Sequence, residues 1–92
     1  MTIEKRRELA KQPILWTGDL DDDCIAIWAG LTLRAEWMDE DYWWWSVSEI
    51  GKVENIDDSN NYEEQFLGGE VSRKKAEEVA IKHLRNLGII SN

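Results

Sequence analysis

His83 is the one histidine of the chain, so any acid–base or nucleophilic chemistry that needs an imidazole must run through it. Its spacing from Val79, Ala80 and Leu87 puts it on or beside the apolar stripe of a helix, where a half-buried, hydrogen-bonded histidine at the core edge is expected. Ser46, Ser48, Ser72 and Cys24 are the nucleophile candidates. A single histidine serves all four, and no nucleophile-elbow motif surrounds any of them. Gly68-Gly69 lacks the Lys-Ser/Thr that completes a phosphate loop, and no nicotinamide or flavin signature is present. Zinc would need His83, Cys24 and carboxylates drawn from separate elements. No catalytic, cofactor-binding or metal-binding residue is therefore assigned, and the chain reads as a non-enzyme.

Carboxylates are the most abundant reactive groups. Asp19, Asp21 and Asp23 have the alternating spacing that opens a calcium loop, but Cys24 stands where the tight turn needs glycine and Gly30 where a bidentate glutamate should close the site. A solvated acidic loop is the expected outcome. The net charge is −8, and residues 19–70 hold 15 of the 19 acids with only Arg34 and Lys52 as bases, a segment balance of −13 between mildly basic flanks of +2 and +3. Such a middle repels phosphate backbones, so direct nucleic-acid binding is not expected. It attracts basic protein surfaces and favours solubility.

The elements that position these groups follow from patterning. Thr2 caps a short helix over residues 2–12 that Pro13 stops, and Ile14-Leu15-Trp16-Thr17 is a short strand or an extended lead-in. Ile25, Ile27, Ala29, Leu31, Leu33, Ala35 and Trp37 alternate with Cys24, Ala26, Trp28, Gly30, Thr32, Arg34 and Glu36, which predicts one long strand with a bend or bulge at Gly30. After a polar turn at Met38-Asp39-Glu40-Asp41, a second strand places Trp43, Trp45 and Val47 on the core face, and Tyr42, Trp44, Ser46 and Ser48 on the other. Gly51-Lys52 turns into a third strand over residues 53–57. A polar loop over 58–69, anchored by Tyr62, Phe66 and Leu67, leads to a helix capped by Ser72 and ended by Gly88, with a core stripe of Ala76, Val79, Ala80, Leu84 and Leu87. The expected fold is one α+β domain spanning 1–92: a three-stranded antiparallel meander, with a fourth short strand if residues 14–17 pair, and N- and C-terminal helices packed on one face.

Helices on one face leave Trp28, Tyr42 and Trp44 on the other as an aromatic strip in water, of the kind that marks protein contacts. With Asp21, Asp22 and Asp23 and with Asp39, Glu40 and Asp41 they form the candidate interaction surface. The expected function is a non-catalytic protein-interaction domain with a basic protein partner or a second copy of itself. The alternatives are an acidic inhibitor, immunity-like or nucleic-acid-mimic protein, and a small enzyme or ligand-binding domain. No segment is apolar and long enough to span a bilayer and no signal-peptide core follows the N-terminus, so a cytoplasmic location is expected. The lone Cys24 forms no internal disulfide and reads as a small hydrophobe in a strand.

The helix–meander–helix order and the run Ser72-Arg73-Lys74-Lys75-Ala76-Glu77 resemble double-stranded-RNA-binding domains, whose final helix opens with basic residues that meet phosphates. The resemblance covers the element order and that one run. It implies phosphate binding, which the acidic middle opposes, so the family is not assigned.

Overall fold

A computed structural model describes residues 1–40 and 42–91. The chain runs α1 (Ile3–Ala10), β1 (Thr17–Asp19), β2 (Asp23–Trp28), β3 (Leu31–Asp39), β4 (Tyr42–Glu49), β5 (Asn55–Asp58), a 3-10 turn (Ser59–Asn61), β6 (Phe66–Leu67) and α2 (Gly69–Asn86). The class is α+β. The sheet has six strands rather than three: β1 to β5 form an antiparallel meander in sequence order, and β6 pairs with the start of β4. The loop expected over 58–69 thus carries a turn and a strand, because Ser59 Oγ accepts the Trp45 amide and Phe66 buries itself beside Trp43. No helix among the described residues is long and apolar enough to cross a membrane.

The long strand expected over 24–37 is a hairpin. Ala29 and Gly30 take φ of 50° and 84°, the left-handed pair of a two-residue turn whose twist matches its flanking strands. The residues that bracket such a turn, Trp28 and Leu31, become cross-strand partners and point to the same side. The core face therefore switches from even to odd numbers at the turn. Cys24, Ala26 and Trp28 are buried on β2, and Leu31, Leu33 and Ala35 on β3, while Ile27 is 60% exposed on the far face. Trp28 consequently lies opposite Trp44, and the expected Trp28–Trp44 strip does not form. On β4, Trp43, Trp45 and Val47 occupy the core side as expected.

α2 lies across β3, β4 and β6 and buries Ser72, Ala76, Ala80 and Leu84. It begins earlier than the capping pattern predicts, with Gly68 at the cap, so Ser72 faces the core rather than the helix end. Its other end is a paired glycine cap: Gly88 (φ 76°) donates to the Arg85 carbonyl and Ile89 to that of Leu84, folding Ile89 into the core while Leu87 stays exposed. Beneath α2, Trp45, Tyr62 and Phe66 pack with centroids 5.5–5.8 Å apart. α1 departs from the expectation that both helices pack alike: it buries no residue, and only Leu9 and Ala10 lean on the core.

Candidate interaction surface

The meander sends the β1–β2 and β3–β4 turns to one end of the sheet, the acidic end, and the β2–β3 and β4–β5 turns to the other. At the acidic end the Trp37 amide donates to the Asp22 carbonyl at 2.6 Å, tying the two turns together. Asp21, Asp22 and Asp23 thereby stand beside Asp39 and Glu40, all exposed. Asp41, the remaining acidic candidate, lies outside the described residues. Asp19 Oδ1 accepts the Asp21 amide at 2.9 Å, so this carboxylate caps its own loop. Among the described residues no three His, Cys, Asp or Glu side chains gather as metal ligands.

Apolar side chains stand exposed among these carboxylates. Trp37, a Cα partner of Trp43 on the core side, is 44% exposed because α2 starts over Trp43 and stops short of it; Gly69 lies so close to Trp43 that an added Cβ would come within 2.9 Å of the ring. The Trp37 indole N–H donates to the Glu40 carbonyl, which fixes the ring against the β3–β4 turn. Leu20 is exposed across the same hollow, and Met38, the following residue of β3, is exposed as well. An open hollow of about 470 Å³ runs between Leu20, Asp21, Trp37, Glu40 and the first turn of α2, and a second of about 460 Å³ between Glu40, Tyr42 and Leu67. Arg73 braces this end from α2 by donating to the Leu20 carbonyl at 3.0 Å. Lys75 lies 4.9 Å from the centre of the Tyr62 ring. The basic opening of α2 is thus partly engaged in tertiary contacts rather than wholly solvated.

The uncovered sheet face is mixed in character. Trp44 sits beside Glu36 and is half-buried, and the next rows are Ile25–Arg34–Ser46–Asp58 and Ile27–Thr32–Ser48. Arg34 reaches Asp23 at 3.2 Å and Glu36 at 3.9 Å. Trp44 and Tyr42 remain there without Trp28, whose indole N–H is spent on the Gln12 carbonyl at 2.9 Å.

Two polar clusters lie away from the acidic end. Asp57 accepts from the Tyr62 hydroxyl at 2.7 Å, the Asn61 amide at 2.7 Å and the Asp58 backbone at 2.9 Å. Burial opposes its ionisation, but these donors and the Lys75 charge outweigh it and hold its carboxyl low. The same hydrogen bond, with burial, pushes the Tyr62 phenol up to about 12. At the hairpin end Glu49 accepts both terminal nitrogens of Arg6 and lies 3.1 Å from His83 Nε2. Burial disfavours its charge, and Arg6 together with His83 overcomes that and depresses its pKa. Cys24 is buried, which raises its thiol pKa against the opposing contact from Arg73.

No protein-family model matches the chain, and no curated protein or solved structure is significantly similar to it.

Patterning missed three members of this surface. Trp37 alternates with core residues, so period alone assigns it inward; its place at the very end of the pattern, against an acidic turn, was the available signal. Leu20 and Met38 are lone apolar residues in polar turns and carry no periodic signal at all.

Proposed function

We propose that this domain is a non-catalytic interaction module that binds a basic protein surface through the acidic end of its sheet. The observation that carries this reading is the pairing of the two acidic turns through Trp37 and Asp22, with exposed Trp37, Leu20 and Met38 set among Asp21, Asp22, Asp39 and Glu40. An apolar, aromatic centre with a charged rim is the usual composition of a protein contact. Carboxylates on that rim select a positively charged partner and speed its encounter. A second copy of the chain suits the site less, because each copy carries −8 and would bring like charges together. A partner held here has its basic site covered, which is also how an acidic inhibitor or immunity-like protein acts.

The test is a titration of isotope-labelled protein with a deca-lysine peptide at about 50 and 500 mM salt, where the screening length falls severalfold. Resonance shifts should concentrate at Asp21, Trp37 and Glu40, weaken steeply with salt, and shrink in a folded Trp37→Ser variant. Shifts spread evenly over the surface, or unaltered by Trp37→Ser, would rule the proposal out.

A further inference from the structure

At the hairpin end, Arg6 sits in a cradle whose acceptors match a guanidinium group by group. Its Nε donates to the Ala29 carbonyl at 2.8 Å, Nη1 to Glu49 Oε1 at 3.0 Å and Nη2 to Glu49 Oε2 at 2.7 Å. The left-handed turn aims the Ala29 carbonyl, and Gly30 leaves space for the side chain: a Cβ there would lie 2.8 Å from Arg6 Nε. His83 Nε2 lies 3.1 Å from Glu49 Oε2, the oxygen that also accepts Arg6 Nη2. A hollow of about 300 Å³ opens beside the cradle, lined by Met1, Arg6, Gly30, Glu49 and Ile50.

The helix that brings Arg6 is weakly seated. α1 has eight residues, buries none of them and leaves Ile3 half exposed. A helix of that length is marginal without tertiary support, and here the support is the Arg6 contacts, the bond from Arg7 to the Gly88 carbonyl at 3.2 Å and the partial burial of Leu9 and Ala10. Without α1 the Ala29 carbonyl loses Arg6 Nε and the Glu49 carboxylate keeps only His83, and only a planar fork of N–H groups restores all three lost bonds; an ammonium cannot.

We infer that this cradle is an arginine-binding site that α1 fills from within the chain and that an arginine of a partner protein fills in its place. It lies at the opposite end from the acidic surface and stands or falls independently of it. Arg6 is tethered at an effective concentration on the order of millimolar, so free arginine does not displace it. A partner that adds contacts of its own around Gly30, Glu49 and Ile50, the part of the hollow that stays when α1 leaves, does.

The test opens the cradle with Arg6→Ala and follows the thermal midpoint during titration with L-argininamide or L-lysinamide at constant ionic strength, since a ligand of the folded state raises that midpoint. Argininamide should act saturably and at roughly tenfold lower concentration than lysinamide. Adding Glu49→Gln should erase the difference. Equal responses to the two amides would overturn the assignment. If Arg6→Ala does not fold, Arg6→Lys is titrated in the same way, and hydrogen exchange on the unaltered protein gives a separate check. There, α1 amides should exchange much faster than those of Leu33 and Val47, and equal protection would show that α1 does not vacate the cradle. A dimer of the unaltered protein that Arg6→Ala makes monomeric would overturn the choice of partner, because a second copy then fills the site.

Discussion

Arg6 grips Glu49 with both terminal nitrogens, at 3.0 and 2.7 Å, across 43 residues of chain. Arg6 and Glu49 side chains are only 12% and 28% exposed, so the pair is sheltered from the screening that makes most surface ion pairs negligible. It joins α1 to the end of β4, and His83 adds α2 to the same carboxylate.

Glu49 makes stability depend on acid. Its pKa is lowered in the folded protein, so the stabilisation it provides is complete above the unfolded value of about 4.3 and is lost as pH falls through the lower folded value. Glu49→Gln should cost about 1–3 kcal/mol at neutral pH. It should also flatten the decline in stability below about pH 4.3. Urea unfolding at a series of pH values measures both, and an unchanged acid limb in the variant would contradict the sign.

Gly30→Ala should destabilise the protein by about 1–3 kcal/mol, through a left-handed φ of 84° and a clash with Arg6 Nε. Because part of that cost is the clash, combining it with Arg6→Ala should cost less than the sum of the two single changes. Additive values from denaturant unfolding would place the whole effect in the turn.

Two tryptophan substitutions should separate the faces of the sheet. Trp28→Ser removes a ring that is 7% exposed and its bond to Gln12, at about 3–5 kcal/mol. That is a large share of the roughly 5–14 kcal/mol expected for a domain of this size. Trp44→Ser, on the uncovered face, should leave a folded protein with a much smaller drop in Tm. Calorimetry of the pair decides, and equal losses would mean that Trp44 is as deeply packed as Trp28.

Tyr62 should titrate at about 12, well above Tyr phenols in water, and Asp57→Asn should bring it down towards the ordinary value. A phenol whose pKa is raised by folding contributes stability that is whole below the unfolded value of about 10 and is lost as pH rises through the folded one. Ultraviolet absorbance during alkaline titration follows the phenolate directly. Ionisation of Tyr62 unmoved by Asp57→Asn would separate the shift from that hydrogen bond.

The α+β class, the long second helix with its glycine cap, and Trp43, Trp45 and Val47 as core residues were legible because each rests on a period or a terminator within one element. The Ala29–Gly30 turn was not. Ala29 is a poor turn residue, and apolar alternation continues through it on both sides, so Gly30 signals a bend without distinguishing a hairpin from a bulged strand. That one miss exchanged the faces of β2 and moved Trp28 into the core. The acidic candidates fared differently: their locations in two turns were readable, but their adjacency depends on the register of three strands. The Arg6–Glu49–His83 junction joins three distant parts of the chain, and no sequence interval announces it.

Those contacts also order events during synthesis. α1 is synthesised before the sheet and α2, yet Arg6 docks on residues 29 and 49, Arg7 on Gly88, and the His83 that braces Glu49 lies on α2. A nascent chain can pair β1 to β5 while α1, too short to persist alone, waits without a seat. α1 is therefore made before its seat and placed after it.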